Sequence, residues 1–498
     1  MVEHIVTAFW LVLDPYVLGV ILASSLFGLF VGAIPGLSAT MAVALLVPVT
    51  FFMPPLPAVA CMVTATAMAI FAGDVPGALL RMPGTPASAA YCDEAHAMTR
   101  KGQAEMVLGA GVVFSAIGGL FGTIVLMTAA PALARAALQF SSFEFFWLVL
   151  LGLTCAVFVS PGRPLKGLVS LMIGLFIATV GFENPAAYPR FTFGFTNLMS
   201  GVQLIPVMIG MFAVSEVIRF AVTADAPIDH VKQDIGRVFK GQGRLLAQYP
   251  LATLRGSIVG TAIGALPGAG ADIAAWISYG ISKRFSKTPE KFGTGHIEGI
   301  VEAGAANNSA LAGAWIPALV FGIPGDSITA IVIGVLYLKG MNPGPTIFIE
   351  HPENIYGVFI VFLLANLLLF PFGWLLIKLA KNVLHVPRAV LMPVILLFCV
   401  VGAFAINNSL FDVGVMLAFG LLAYLMEANA FPIAPTILGL VLGGMLEQNF
   451  VTSMIKSNGN FLAFFERPVS AALGVATILI WLSPLALKAF ARRRVTTR

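Results

Sequence analysis

Two Pro-Gly interruptions in the first half of the chain recur in its second half, and each lies inside strongly apolar sequence. Residues 32–36 read GAIPG and residues 264–268 read GALPG, while residues 82–84 read MPG and residues 323–325 read IPG. Backbone that leaves the helix at membrane depth is tolerated only where protein or a watery cavity satisfies the freed N–H and C=O groups. Paired interruptions in two halves are the pattern that indicates a ligand site inside a membrane protein.

The composition places the chain in a membrane. Hydrophobic residues make up 59% of its 498 residues and charged residues only 10%, whereas soluble domains carry roughly 25% charged residues. Because a helix needs about 20 apolar residues to span a bilayer, the apolar stretches predict an all-α integral membrane protein with about ten to thirteen transmembrane helices. Shorter stretches beside the Pro-Gly motifs are expected to be re-entrant or broken helices.

Cysteine and histidine patterns indicate no cofactor. The four cysteines are scattered and form no CxxC motif, and the histidines form no HExxH motif. These spacings suggest neither a disulfide scaffold nor a thiolate metal site. We therefore expect no cofactor.

Clusters of Lys and Arg predict the orientation in the membrane. They lie in the polar connection 223–250, at 283–291 and at 488–498. The positive-inside rule puts all three in the cytoplasm, together with the C-terminus. The segment from Arg255 to Lys283 then enters and leaves on one side, which favours a re-entrant hairpin with Pro267 to Gly270 at its tip. One long broken helix is the alternative.

The ordered motifs predict a fused duplication. Pro35 and Pro267 lie 232 positions apart, and Pro83 and Pro324 lie 241 apart. Residues 165–185 align with 411–432 at a similar offset. We read a first transmembrane repeat at 1–222, a cytoplasmic linker at 223–250 and a second repeat at 251–498. The sequence does not decide whether the repeats are parallel or inverted.

The first pair of motifs predicts an anion site. Proline ends the preceding helix, glycine permits positive φ and close approach, and the helix that resumes presents unpaired N–H groups at its positive end. A packing kink is the alternative reading. The candidate substrate-binding residues here are Pro35, Gly36, Leu37, Ser38, Pro267, Gly268, Ala269 and Gly270.

The second pair adds hydroxyls and charge. A carboxylate such as Asp326 is costly in hydrocarbon, by roughly 3 kcal/mol at mid-bilayer, so it is expected to face water, a cation or the site. Arg81 is a candidate for holding a substrate carboxylate, and its pairing with Asp74 is the alternative. The candidate substrate-binding residues of this pair are Arg81, Pro83, Gly84, Thr85, Pro324, Gly325, Asp326 and Ser327.

A third cluster lies in EAGAANNSALAG at 302–313. Asn307 and Asn308 offer carbonyl oxygens for sodium and amides for carboxylates, and small residues around them let helices approach closely. We predict both asparagines as substrate-binding residues, with Asn307, Asn308 and Asp326 as candidate sodium ligands. Hydrogen bonds that only join helices are the alternative.

These motifs resemble the large membrane subunit of the tripartite tricarboxylate transporters. The likeness is carried by GALPGAGADIAAWISYGISKR, EAGAANNSALAG, PALVFGIPGDSITAIVIGVLYLKGMNPGP, GAIPGLSAT, PGTPASAA and MTRKGQAE, and it covers essentially the whole chain. It implies a secondary transporter of the bacterial inner membrane that takes up an organic carboxylate, with a coupling ion (Na⁺ or H⁺) that supplies the gradient. It also implies two partners, a small four-helix membrane subunit and a periplasmic substrate-binding protein.

Several positions depart from the family's pattern. Arg81-Met82 stands where the family has Asn-Thr, Asp74 stands where it has a small or hydroxyl residue, and Glu94-Ala95 replaces Asp-Gly. Val301 to Gly304 likewise replaces a Pro-Glu-Ala-Ala run. The resemblance therefore implies the mode of transport and leaves the identity of the carboxylate open.

Three other functions were weighed. The permease of an ATP-driven importer would need a Gly six positions after the Glu of its EAA loop, where this chain has Asn308 after Glu302. An intramembrane aspartyl protease would use Asp272 and Asp326, but the motif here is Pro-Gly-Asp rather than Gly-x-Gly-Asp. A passive anion channel remains an alternative. No soluble-enzyme signature occurs, so no enzymatic activity is expected.

Overall fold

A computed structural model of the protein describes residues 2–159, 163–182, 188–222, 236–384 and 388–495. Pro185, residues 223–235 of the predicted linker and the basic terminus at 496–498 lie outside the described residues, as do the side chains of 483–495. The described chain is built from helices, and its one bridge between extended residues joins Gly181 to Arg190. The prediction of an all-α membrane protein is confirmed.

The helices of the first part of the chain run to the predicted linker. They are α1 (Val2–Val12), α2 (Pro15–Ala33), α3 (Ala39–Thr50), α4 (Pro55–Ala72), α5 (Asp74–Leu80), α6 (Cys92–Arg100), α7 (Ala104–Ala137), α8 (Ser142–Val159), α9 (Pro164–Ala178), α10 (Leu204–Ile209) and α11 (Ser215–Val222). A π-helical turn at Gly210–Val214 joins the last two.

The helices of the second part follow the linker. They are α12 (Gln242–Gln248), α13 (Pro250–Gly264), α14 (Gly270–Phe285), α15 (Ile297–Phe321), α16 (Ser327–Leu338), α17 (Ile347–Glu350), α18 (Pro352–Val383), α19 (Arg388–Asn407), α20 (Leu410–Ala428), α21 (Ala434–Lys456) and α22 (Pro468–Val495).

Eight helices of the described chain are long and apolar enough to cross a membrane. Shorter apolar helices accompany them, and α3 and α16 are of this kind, each beginning directly after a Pro-Gly motif. The expected ten to thirteen spans are reached only if some of the shorter helices cross as well. The eight are Pro15–Ala33, Pro55–Leu80, Ala104–Ala137, Ser142–Val159, Leu204–Val222, Pro352–Ala380, Arg388–Asn407 and Leu410–Ala428.

The chain folds as two compact units. The first comprises Met1–Arg135 and Gln203–Asn429, and the second comprises Ala136–Val202 and Ala430–Arg498. Each predicted repeat contributes to both units, so the compact units are not the two repeats. The division into repeats at 1–222 and 251–498 stays a prediction about ancestry.

Within the first unit, small residues let two helix pairs pack closely. A Cβ on Gly28 would lie 2.2 Å from the Ala65 carbonyl oxygen, and a Cβ on Gly260 would lie 2.3 Å from the Ala306 carbonyl oxygen. The helix pairs are α2 with α4 and α13 with α15. Since Gly260 is 232 positions after Gly28 and Ala306 is 241 after Ala65, the contacts repeat with the offsets read from the sequence.

The segment on either side of Pro267 folds as a helical hairpin. Along α13, Gly256 contacts Glu302 and Gly264 contacts Ala310, so α13 runs parallel to α15. Along α14 the order reverses, because Ser278 donates to the Glu302 carbonyl and Ser282 to the Glu298 carbonyl. The two helices are therefore antiparallel, as a hairpin requires, and one long helix is excluded.

The second unit holds its own apolar core. Phe146 and Trp147 pack against Phe464, and the Trp147 indole N–H donates to the Phe464 carbonyl at 3.0 Å. Gly174 of α9 meets the Thr436 backbone of α21 so closely that a Cβ would lie 1.9 Å from the carbonyl oxygen. None of the predicted site residues lies in this unit, so the candidate site belongs to the first unit.

Candidate functional site

The two motifs of the first pair, GAIPG and GALPG, have the same backbone conformation. Gly36 has φ +86° and Gly268 has φ +82°, a left-handed conformation that glycine adopts without steric cost. In the first copy α2 ends at Ala33 and α3 begins after Ser38, whose hydroxyl accepts from the Met41 N–H at 3.1 Å. The interruption therefore places a capped helix N-terminus directly after an exposed glycine.

The two motifs of the second pair, MPG and IPG, also lie in matching backbone structures. Arg81 caps the C-terminus of α5 with φ +58°, and Gly322 caps the C-terminus of α15 with φ +68°. After the break, the Thr85 and Ser88 side chains accept from each other's backbone N–H at 3.2 and 3.1 Å. Asp326 and Thr329 form the same reciprocal cap. Each of these residues lies 241 positions from its counterpart, which supports the proposal of a duplication.

Within each predicted repeat, the two breaks touch. A Cβ on Gly84 would lie 2.7 Å from the Gly32 carbonyl oxygen, and one on Gly325 would lie 2.8 Å from the Gly264 carbonyl oxygen. In the second copy the Gly268 N–H also donates to the Gly325 carbonyl at 2.8 Å. Only residues without a side chain fit at these crossings.

Two hydrogen bonds join the breaks of the first repeat to those of the second. The Ala87 N–H donates to the Asp272 carboxylate at 3.1 Å, and the Trp276 indole donates to the Pro86 carbonyl at 3.2 Å. Asp326 packs against Gly270, two residues before Asp272. All four interruptions thus form one connected cluster inside the first unit.

Arg81 does not pair with Asp74, so that alternative is wrong. The Arg81 Nε donates to Asp93 at 2.8 Å, and both side chains are about two-thirds exposed, at 65% and 69%. The left-handed backbone of Arg81 turns its side chain towards α6, away from the residues that precede it. Whether Arg81 also holds a substrate carboxylate stays a prediction.

The predicted asparagines are fully buried in α15. Asn307 is 0% exposed and its amide donates to the Tyr91 hydroxyl at 3.4 Å. The side-chain oxygen of Asn307, and both polar atoms of Asn308, have no hydrogen-bond partner in the described chain. Groups of three or more His, Cys, Asp and Glu that could hold a metal ion do not occur among the described residues. The sodium assignment to Asn307, Asn308 and Asp326 therefore stays a prediction.

Arg388 lies at the candidate site, and the sequence pattern did not indicate it. It begins α19, and its Nη1 and Cζ atoms would lie 3.3 and 3.5 Å from a Cβ on Gly36. The guanidinium therefore covers the first interruption from a helix more than 350 positions away. The one related signal in the sequence is the glycine at position 36. A glycine leaves room for a close neighbour but does not indicate which residue that neighbour is.

The comparisons with known proteins agree with this architecture. The sequence model of the Tripartite tricarboxylate transporter TctA family matches residues 18–438, a range that contains every interruption described above. The chain belongs to this family. Its members are the large subunits of tripartite tricarboxylate transporters, which places the protein among multi-pass membrane transport proteins.

Two relatives from Agrobacterium vitis are similar to the chain. The uncharacterised 52.8 kDa protein in the TAR-I ttuC′ 3′ region is 33% identical over 462 residues, covering 92% of each protein. The uncharacterised protein in the TAR-II ttuC′ 3′ region is 36% identical over 228 residues, covering 45% of this chain and 94% of that protein. No solved structure matches the chain.

Proposed function

We propose that the protein carries an organic carboxylate, of the di- or tricarboxylate type, inward across the bacterial inner membrane on a sodium or proton gradient. The observation that carries this proposal is the single cluster formed by four interrupted helices. Interrupted helices that converge in a membrane protein present helix ends and freed backbone groups to a ligand.

The first interruption suits the anionic substrate. Helix α3 points its N-terminus at the exposed Gly36, and the Ser38 hydroxyl caps it. A helix N-terminus favours negative charge, and the Arg388 guanidinium beside Gly36 adds a full positive charge. A guanidinium binds a carboxylate through two parallel hydrogen bonds. We place one substrate carboxylate between Arg388 and the start of α3.

The second repeat supplies the opposite charge. Asp272 and Asp326 lie near each other at the breaks around Gly270, where an anion would be repelled. This asymmetry within a repeated backbone suits a carrier that moves an anion together with a cation. Substrate and cation would then neutralise each other's charge inside a low-dielectric environment.

Transport of this kind requires the other subunits that the family implies. We propose that a periplasmic substrate-binding protein delivers the carboxylate and that a small four-helix membrane subunit completes the transporter. The basic clusters at 223–250, 283–291 and 488–498 support a cytoplasmic C-terminus by the positive-inside rule.

The test is uptake of labelled di- and tricarboxylates into proteoliposomes that contain the chain and both partner subunits. The proposal expects accumulation above the external concentration when a sodium or proton gradient is imposed, and none when the gradient is collapsed by an ionophore. Equilibration without accumulation would establish a passive channel instead. Uptake that depends on ATP and ignores both gradients would overturn the proposal.

A further inference from the structure

Asp74 is a buried carboxyl group without a charged partner in the described chain. It begins α5 and is 8% exposed. Its Oδ1 accepts from the Tyr91 hydroxyl at 2.6 Å, while its Oδ2 makes no hydrogen bond. Gly111 of α7 lies beside Oδ2, where a Cβ would be 3.6 Å away. One oxygen of this carboxyl is therefore enclosed and unsatisfied.

A second unsatisfied oxygen belongs to Asn307 of α15, whose amide nitrogen contacts the same tyrosine. The Asn307 amide N–H donates to the Tyr91 hydroxyl at 3.4 Å, and the Asn307 Oδ1 has no partner in the described chain. Tyr91 is 2% exposed. Its hydroxyl donates to Asp74 and accepts from Asn307, so it has no further proton to give. The cluster is left with two buried acceptors and no donor for either.

The surroundings of Asp74 supply no compensating positive charge within the described residues. The titratable groups that face it are Tyr91 and Cys92, and the Cys92 thiol donates to the Gly77 carbonyl. Arg81, seven positions further along the chain, is paired with Asp93. A buried acidic group inside a membrane segment marks a functional site by default.

Two buried acceptor oxygens, one of them on a carboxylate, suit a cation. A sodium ion binds carboxylate and amide oxygens together, and a proton on Asp74 turns an acceptor into a donor. A water molecule would satisfy the acceptors but would leave the negative charge of Asp74 uncompensated. Two buried acceptors, one of them a carboxylate oxygen, therefore suit a bound cation better than a bound water.

We propose that Asp74, Tyr91 and Asn307 form the binding site of the cation that drives transport, a proton or a sodium ion. This inference rests on the proposed function and adds the residues that would couple it to a gradient. Asp74 takes the role of principal ligand, which the sequence reading did not assign to it. Asn307 was predicted as a sodium ligand together with Asn308 and Asp326, and here it acts with Asp74 instead.

The site is joined directly to one of the interruptions. Asp74 follows Gly73, whose carbonyl accepts from the Gly84 N–H at 3.0 Å. A Cβ on Gly73 would also lie within 3.2 Å of Thr85 side-chain atoms. A cation bound at Asp74 therefore sits one residue from the contact that holds the break at 82–84. Binding or release of the cation can therefore move the break at 82–84 directly, through the contact of Gly73 with Gly84.

The first test measures cation binding without transport. The purified chain in detergent is unfolded by heat at rising NaCl, with choline chloride keeping the ionic strength constant, and separately at falling pH without sodium. We expect the unfolding temperature to rise in one of these arms, because a ligand that binds only the folded state stabilises it. The arm that responds identifies the cation.

Variants then assign the effect to the site. Asp74→Asn should abolish the cation-dependent rise, and Asn307→Ala and Tyr91→Phe should weaken the apparent cation affinity at least tenfold. Asp93→Asn is the matched control, since it removes an exposed carboxylate close by and should keep the wild-type cation-dependent rise in unfolding temperature. If Asp74→Asn does not yield folded protein, the other two variants decide the question.

A transport assay distinguishes failure of this inference from failure of the proposed function. In proteoliposomes with the partner subunits, Asp74→Asn should lose gradient-driven accumulation by at least tenfold yet keep exchange of labelled for unlabelled carboxylate. Full accumulation in both Asp74→Asn and Asn307→Ala, or no cation response of the wild type in either arm, would overturn the inference. A cation response in a protein that moves no carboxylate would instead overturn the proposed function and leave the site standing.

Discussion

The backbone N–H of Ala87 donates to the Asp272 carboxylate at 3.1 Å. This bond joins the break after α5 to the start of α14, so it links the two predicted repeats at the candidate site. A carboxylate at a helix start is favoured by the helix dipole, and here it also satisfies a donor on an interrupted backbone. The two halves of the cluster depend on each other through this contact.

Replacement of Asp272 should show whether transport requires the hydrogen-bond acceptor at this position or its negative charge. Asp272→Ala removes the acceptor and leaves the buried Ala87 N–H unpaired, which costs about 1–3 kcal/mol. We expect uptake in proteoliposomes to fall at least tenfold. Asp272→Asn is the control, because its amide oxygen keeps the acceptor. An equal loss in both variants would mean that the negative charge itself is required.

The close helix crossings predict which glycines tolerate a methyl group. Gly28→Ala and Gly260→Ala each push a Cβ into a carbonyl of the facing helix, and overpacking of this kind costs about 1–3 kcal/mol. Thermal unfolding in detergent should show a similar loss for both variants. Gly19→Ala, on α2 with nothing within 4 Å, should be neutral or slightly stabilising because alanine favours helix. Equal behaviour of all three would contradict the packing.

Arg81 should be replaceable with a gain in stability. Its left-handed backbone costs roughly 1–2 kcal/mol for a residue with a Cβ, whereas its exposed ion pair with Asp93 is worth about 0–1 kcal/mol. Arg81→Gly restores the residue type found at Gly322, its counterpart in the second copy. We expect a higher unfolding temperature for Arg81→Gly than for Asp93→Asn, which breaks the same pair and keeps the strained backbone.

The same variant tests the predicted role of Arg81 in substrate binding. If the Arg81 side chain holds a carboxylate, Arg81→Gly will raise the substrate concentration needed for half-maximal uptake. If its role is confined to the ion pair with Asp93, that concentration will not change. The measurement is the substrate dependence of the initial uptake rate in proteoliposomes.

The sequence predicted the interruptions because Pro and Gly act locally. Pro35 and Pro267 mark the ends of helices through their own ring geometry, and the left-handed turns at Gly36 and Gly268 follow directly. The positive-inside rule, applied to the basic residues at the two ends of the segment, predicted the hairpin around Pro267. Local chemistry and the distribution of charge were therefore enough to predict the backbone of the candidate site.

The contacts of the charged side chains were not predictable in the same way. Asp74 lies seven positions from Arg81 but bonds to Tyr91, since the turn at Arg81 carries the guanidinium to Asp93. Arg388 reaches Gly36 through tertiary packing alone. Pairings of this kind depend on how helices cross, and no spacing along the chain records that.

The buried ion pair between Arg255 and Glu302 predicts that a single variant is less stable than the double variant. The Arg255 Nε donates to the Glu302 Oε1 at 2.6 Å, and the Glu302 side chain is 0% exposed. Arg255→Gln strands a buried carboxylate, which costs about 3–5 kcal/mol. The double variant Arg255→Gln/Glu302→Gln should be more stable than Arg255→Gln alone.

The measurement for this pair is thermal unfolding of Arg255→Gln, Glu302→Gln and the double variant in detergent, arranged as a double-mutant cycle. Arg219→Gln, which breaks the more exposed pairs with Glu216 and Glu427, serves as the control and should change stability by no more than about 1 kcal/mol. Additive effects of the two single changes would show that the ion pair contributes nothing to the fold.

Arg388 should determine the affinity for the substrate carboxylate. Its guanidinium lies beside Gly36 at the start of α3, and a charge-assisted hydrogen bond is worth about 1.5–3 kcal/mol. Arg388→Gln should therefore raise the substrate concentration for half-maximal uptake at least tenfold. Arg388→Lys should recover part of the affinity, since it keeps the charge but loses the planar pair of donors. Arg284→Gln removes an exposed charge at the end of α14 and should leave that concentration unchanged. A loss of maximal rate without a change in half-saturation would instead place Arg388 in the movement of the carrier and not in the binding of its substrate.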